Sequence, residues 1–386
     1  MKIAMFTDNL AISGGYQKLI LRLSEELEKA NHEVSVLTPT LNKEKCYPEI
    51  INNIKIISTK DFARFLNKAN FFLKIKMVFQ YIYLAYKIKK EEVIIIHNEL
   101  SLTTLNFINT KNKKVLWMLN NQFPDWLKKE KVNEYEKSKL IIKLAKLVTF
   151  FLMKRGLKKV DLMLTYDSFN YNLVKANVSN NAQIIYAGAD IEYKKVIREK
   201  IIYPIRLLSV GVLLNYRRYE DIIKAIDILR KINIDCFLKI VGATEFAPEY
   251  RKYLDNLVQN LKLEEKVIFC GAISDKELDN IYRNSDIFIF VNDAQTWGIS
   301  VFEAISYELP VIITDNIGAA DLVEESSVAS IIKPGSPESI AEAIKKFKDN
   351  NLNQTEIDKQ YKKNLEKVSW QSFATRMLAA ISSINK

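Results

Sequence analysis

The chain has 386 residues, 48% of them hydrophobic and 27% charged, a length beyond one ordinary core and a composition that excludes disordered, collagen-like and disulfide-stapled classes. Three scattered cysteines, Cys46, Cys236 and Cys270, form no C-x-x-C pair, which points to a reducing compartment and away from a zinc site. No run of about 18 apolar residues is free of charge, and the opening MKIAMFTDNL lacks the apolar core and cleavage site of a secretion signal.

The net charge of +11 is uneven. Up to Lys200 there are 34 Lys+Arg and 20 Asp+Glu, a net of +14, and the remainder, 23 against 26, has a net of −3. A basic first half suggests an anionic partner: phospholipid headgroups, a phosphate-bearing acceptor or nucleic acid. No nucleic-acid module is recognisable, so nucleic acid is not expected.

Short apolar runs alternate with longer helical segments, the pattern of parallel sheets covered on both faces. In the first half strands are predicted at Ile3 to Phe6, Val34 to Leu37, Val93 to Ile96, Val115 to Leu119, Leu162 to Thr165 and Gln183 to Ile185. The first strand leads into Gly14 and Gly15 and a helix with apolar Leu19, Ile20, Leu23 and Leu27. A glycine pair there lets backbone N–H groups approach an anion, although a plain strand-to-helix turn fits the same residues. His97 ends the third strand and is a candidate site residue; His32, at a strand entry, reads as structural.

Two helical segments concentrate the positive charge. Residues 60–90 hold eight basic residues and one acid, and residues 137–159 hold eight basic residues and no acid. Basic helices carrying Phe, Tyr and Leu suit the surface of an anionic membrane, and ordinary helices with a solvated face suit the same composition.

The charged stretch IEYKKVIREKIIYP reads as a linker, giving domains at 1–195 and 204–369. Strands of the second domain are predicted at Arg206 to Val210, Phe237 to Val241, Val267 to Phe269, Ile287 to Phe290 and Val311 to Thr314. Two doubly wound domains imply a ligand site at the carboxyl ends of their strands, expected between the domains. Arg217 and Arg218, after the first of these strands, suit a diphosphate clamp, and solvated surface arginines fit the charge pattern equally. In VNDAQTWGISVFEAISYELP a loop reaches Gly298, and the helix starting at Ile299 and Ser300 offers amides to a phosphate. Glu303 lies farther along that helix, suited to a ribose diol, and Gln295 precedes it, suited to sugar hydroxyls.

The run from Gln295 to Pro310 resembles the E-x7-E signature of family 4 of the retaining glycosyltransferases, which have the GT-B fold of two Rossmann-like α/β domains. Gly14 and Gly15, IIYAGAD with Gly188 and Asp190, VIFCGAISDKELDNIYRNSDIFIF with Gly271, and SWQSFATRMLAAI with Trp370 are similar to other family segments across nearly the whole chain. The resemblance implies a nucleotide-sugar donor whose base lies near Gly271 and whose ribose meets Glu303. Its diphosphate would meet Arg217, Arg218, Gly298 and Ile299. It further implies transfer with retention, no cofactor and no required metal, an acceptor on the first domain, and a terminal helix at 370–386 packing back on that domain. Arg217, Gln295 and Glu303 are the implied catalytic set, with His97, Asn120 and Asn121 on the acceptor side. Three departures stand out: Gln295 replaces the first glutamate, Val212 stands where an arginine is common, and Asn120 and Asn121 stand where many members have a histidine. The reading is a hexosyl transferase acting on a lipid-linked or glycan acceptor, cytoplasmic and peripheral on the inner membrane face. A catalytically inactive nucleotide-sugar or membrane-binding module is the alternative.

Overall fold

The computed structural model describes residues 1–59, 73–88, 90–119, 124, 127, 140–179, 181–196, 201, 203–293, 297–349 and 354–385. The chain divides into two compact units, Met1–Gly188 with Trp370–Lys386, and Ala189–Ser369.

In the first unit the chain runs β1 (Lys2–Phe6), β2 (Asn9–Leu10), α1 (Gly15–Lys29), β3 (Glu33–Thr38), β4 (Thr40–Leu41), α2 (Pro48–Ile51) and β5 (Ile56–Ser58). It continues through α3 (Leu73–Lys87), β6 (Val93–Ile96), a 3-10 segment (Leu100–Phe107), β7 (Lys114–Leu119), α4 (Leu140–Leu157), β8 (Leu162–Thr165), α5 (Ser168–Asn177) and β9 (Ala182–Ile184). Seven strands form one sheet in the order β5-β3-β1-β6-β7-β8-β9, every pair parallel. The order reverses between β1 and β6, which marks the ligand-binding end of such a sheet. VIII of β6 is buried throughout, as a strand covered on both faces requires. Phe6, Tyr81 and Trp117 fill the core beneath α3 and the 3-10 segment.

The second unit runs β10 (Ile205–Val210), α6 (Tyr219–Lys231), β11 (Cys236–Val241), α7 (Pro248–Asn260), β12 (Val267–Gly271), α8 (Asp275–Arg283), β13 (Ile287–Phe290), α9 (Ile299–Ser306), β14 (Val311–Thr314), β15 (Ala329–Ile332), α10 (Pro337–Asp349) and α11 (Gln354–Lys367). Its sheet, β12-β11-β10-β13-β14-β15, is parallel and reverses between β10 and β13, the order of a Rossmann fold. α8 begins with a capping box, in which Ser274 Oγ accepts from Glu277 N and Glu277 accepts from Ser274 N.

The last helix, α12 (Trp370–Ser382), is part of the first unit. Phe373, Met377 and Ile381 are fully buried, and Lys114 Nζ donates to Ile381 O at 2.8 Å. A Cβ on Gly188 would lie 2.3 Å from the Trp370 ring, so only glycine permits that approach.

The structure differs from the expectation in detail. β9 starts one residue earlier, and β2, β4, β5 and β15 were not foreseen. β2, β4 and β5 span only two or three residues, and β5 and β15 are sheet edges, where one-sided contact weakens the apolar signal. The segment after Gly188 attaches to the second unit rather than to the first. Ala189 N donates to Val368 O at 2.8 Å, Lys194 N to Ser306 O at 2.8 Å, and Lys194 Nζ to Asp279 and Tyr307.

Candidate functional site

The crevice at the carboxyl ends of β10 and β13 gathers most of the second unit's candidate residues. After β10, residues Asn215–Arg217 make a 3-10 turn and Arg218, at φ +48°, caps α6. The left-handed turn at Arg218 sends the two guanidinium groups to different partners.

Arg217 folds back over β13. Its guanidinium lies 4.5 Å from the Phe290 ring centre and 5.5 Å from that of Tyr216, and Nη1 reaches Asn292 Oδ1 at 3.4 Å. Its Nε is buried without a hydrogen-bond partner among the described residues, a cost that a bound anion would remove. Gly211 provides the room: a Cβ there would sit 3.2 Å from both Arg217 Cζ and the Tyr219 hydroxyl. That hydroxyl donates to Gly211 O at 2.8 Å, and burial pushes its pKa up to about 12, so it stays a donor.

Arg218 is differently occupied. Nε and Nη2 donate to the buried Asp221 at 2.6 and 3.1 Å, and Nη1 donates to Asp293 at 2.8 Å. These bonds hold its pKa above the usual arginine value. The positive group suited to a new anion is therefore Arg217, with Arg218 bracing the loop around it.

α9 enters the same crevice. Gly298, at φ +82°, caps it with no side-chain cap and no acidic residue in the first turn, so the amides of Ile299 and Ser300 open a positive dipole end. Ser300 Oγ donates to Val210 O at 3.3 Å. The start of α9 and the Arg217 guanidinium thus converge on Val210 and Gly211.

Glu303 is one turn along. Its Oε2 accepts from the Tyr282 hydroxyl at 3.0 Å. Tyr282 is 2% exposed, stacks on Tyr307 at 4.8 Å, and has its pKa driven far up by burial and by the Glu303 charge. Gly271 ends β12 at φ +69°, where a Cβ would meet nothing within 4 Å, so glycine serves backbone conformation. Its carbonyl accepts from Gly242 N at 2.9 Å. Gln295 lies outside the described residues.

Gly14, Gly15 and His97 belong to the first unit. Gly14 caps α1 in extended backbone, φ −172°, which any residue adopts. A Cβ on it would lie 2.7 Å from Gln17 Oε1, the mobile end of a side chain, so the local structure does not demand glycine there. Gly15 is the first residue of α1. His97 follows β6, is 1% exposed, and its backbone N–H donates to Phe6 O at 2.9 Å. Around it at the sheet reversal lie Tyr16, whose hydroxyl meets Thr7 Oγ1 at 2.8 Å and His97 O at 3.2 Å, and Tyr81, bonded to Asn98 at 3.3 Å. Asp8 shares this region, and burial raises its pKa. Asn120 and Asn121 lie outside the described residues.

Sequence reasoning passed over Asn292, Asp293 and Tyr282. The first two directly follow β13, where a polar pair after an apolar strand at a reversal point is a readable signal. Tyr282 gave no such signal.

Among the described residues no group of three His, Cys, Asp or Glu side chains is placed to hold a metal ion, and no helix is long and apolar enough to cross a membrane.

Residues 192–368 match the family model of glycosyl transferases group 1. An uncharacterised glycosyltransferase of Methanocaldococcus jannaschii is 26% identical over 361 residues, covering 88% of this chain and 86% of that protein. An alpha-1,3/1,6-mannosyltransferase of Candida glabrata is 23% identical over 374 residues, covering 84% and 78%. The crystal structure of HepE from Anabaena in complex with UDP superposes with a TM-score of 0.71 at 14% identity, covering 100% of both chains. The chain accordingly has the GT-B fold, and its second unit matches the glycosyl transferases of group 1.

Proposed function

We propose that the chain is a glycosyltransferase that moves a hexose from a nucleotide-diphosphate sugar to a lipid-linked or glycan acceptor, with retention at the anomeric carbon. The observation that carries this reading is Arg217: a half-buried arginine whose buried Nε has no hydrogen-bond partner among the described residues, beside the start of α9, which has no side-chain cap there either, at the reversal point of the unit that matches the glycosyltransferase family. A donor diphosphate at that point would accept from Arg217 and from the amides of Ile299 and Ser300. As the sugar leaves, charge grows on the diphosphate, and prearranged cationic and dipolar groups stabilise it most where it develops. The proposal therefore includes no bound metal and no other cofactor. Glu303 accepts from the ribose hydroxyls, the backbone near Gly271 meets the base, and Gln295 meets the sugar. The acceptor belongs to the first unit, where His97, Asn120 and Asn121 are its assigned contacts. Gly14 and Gly15 are assigned to the donor through α1 amides.

The relatives guide the choice of donor: HepE was crystallised with UDP, and the Candida relative is named a mannosyltransferase. The basic first half supports an acceptor held at an anionic membrane, on the cytoplasmic face. Incubation with UDP- and GDP-hexoses plus a lipid-phosphate acceptor is expected to release nucleoside diphosphate, and Glu303→Ala to abolish the release. A second reading, a nucleotide-sugar-binding module without turnover, is favoured by the uncharged Gln295. Donor binding without release across the panel would select it.

A further inference from the structure

The first unit carries a face that its own core does not explain. α4 is held from one side. A Cβ on Gly156 would lie 2.0 Å from the Leu102 carbonyl oxygen, so this helix backbone rests directly on the 3-10 segment. Asn106 Nδ2 donates to Leu152 O at 2.8 Å, and Lys159 Nζ to Leu105 O at 2.7 Å. Thr149, Met153 and Gly156 make up the buried side.

With about 100° per residue, the opposite arc consists of Leu147, Val148, Phe151, Lys154 and Arg155. All five are exposed, Leu147 and Phe151 at 63% and Val148 at 52%. A helix that merely covers a sheet turns its large apolar residues inward. Here the inward side has a glycine and the outward side has leucine and phenylalanine. α3 repeats the arrangement: Tyr81, Leu84 and Ala85 are buried, Phe79 and Tyr86 are 41% and 67% exposed, and Lys87 Nζ lies 4.9 Å from the Tyr83 ring centre. The two helices pack on each other and on the same 3-10 segment.

We propose that this face, Leu147, Val148 and Phe151 of α4 with Phe79 and Tyr86 of α3, docks on an anionic lipid bilayer. The inference deepens the membrane-held acceptor proposed above and rests on that reading. Charge selects the occupant. α4 has no acidic residue, and Lys154 and Arg155 lie on its exposed arc, so a second copy of the same face would meet like charge. A phospholipid surface instead receives lysine and arginine at its phosphates while phenylalanine and leucine enter the acyl boundary.

The test is co-sedimentation of the full chain with phosphatidylcholine vesicles, with and without phosphatidylglycerol. Binding is expected on the anionic vesicles at low salt, weakening as salt rises. Leu147→Ser with Phe151→Ser should lower it by at least about tenfold, and Lys154→Glu with Arg155→Glu should weaken it and flatten its salt dependence. All four positions are exposed, and UDP binding by the second unit is expected to be unchanged in both variants, which reports an intact fold. No sedimentation of the parent chain at low salt, or equal sedimentation of the Leu147/Phe151 variant, would overturn the proposal. So would a dimer in size-exclusion chromatography that the same substitutions dissolve. Vesicle binding without sugar transfer would refute the enzymatic reading and leave the docking face standing; transfer to a soluble acceptor without vesicle binding would do the reverse.

Discussion

Two neighbouring arginines show how residue-scale geometry separates chemistry from bracing. Arg217 stacks on Phe290 with Nε unpartnered among the described residues, whereas Arg218 is clamped by Asp221 and Asp293. Arg217→Ala should lower kcat/KM by roughly 10²-fold or more with little change in stability, as removal of a transition-state donor does. Arg218→Ala leaves the buried Asp221 carboxylate short of its partner and should cost about 1–3 kcal/mol in urea unfolding, with the smaller effect on turnover. A greater catalytic loss in the Arg218 variant would reverse the assignment. Tyr282 makes a second residue-scale case. Its hydroxyl points one Glu303 oxygen, so Tyr282→Phe should raise donor KM by about three- to tenfold and leave kcat nearly unchanged. It should also narrow the preference for the normal donor over one lacking a ribose hydroxyl; an unaltered preference would reduce Tyr282 to packing.

At the scale of elements, the ends of helices decide more than their middles. α6 begins beneath Tyr250, whose hydroxyl accepts from Tyr219 N at 3.0 Å, and Glu220 and Asp221 follow in its first turn. That helix end is satisfied and acidic, a poor seat for phosphate. α9 begins on Gly298 in left-handed backbone, with no side-chain cap among the described residues. Gly298→Ala should cost about 1–2 kcal/mol from the backbone conformation alone, and the added Cβ would press on Ala319 at 3.3 Å. Since the strain acts on the amides assigned to the diphosphate, affinity for UDP is expected to fall along with the melting temperature. A melting loss with unchanged UDP affinity would separate α9 from the donor.

For the whole molecule, pH dependence follows from buried charge. Asp8 sits at the reversal of the first sheet, and burial raises its pKa above 3.8 while bonds from its own and Asn9 backbone amides oppose the shift. A raised carboxyl favours the folded state when protonated, and that contribution disappears as pH rises through the folded pKa. Asp8→Asn should therefore stabilise the chain at neutral pH, by a margin that shrinks as pH falls toward 3.8. Melting curves between pH 4.5 and 7.5 measure the margin; one that grew on acidification would mean that the carboxylate is stabilised by partners instead. Asp279 behaves oppositely. Bonds from Arg283, Lys194 and Tyr307 hold its carboxyl well below the usual range, so its contribution is present above pH 3.8 and is lost on strong acidification.

The positions of most strands along the chain, the two doubly wound units and the glycine-led helix at Gly298 were legible in the sequence, because hydrophobic period and glycine punctuation are local properties. What separates Arg217 from Arg218 was not. The left-handed turn at Arg218 and the carboxylate of Asp293, 75 positions away, exist only once β10 and β13 lie side by side. Tyr282 reaches Glu303 across 21 positions by the same kind of long-range packing. The apolar residues of α4 announced a helix, but periodicity names faces without saying which turns inward. The contact of Gly156 with Leu102 settled that, because backbone can rest on backbone only where no side chain intervenes, and it left Leu147, Val148 and Phe151 facing out.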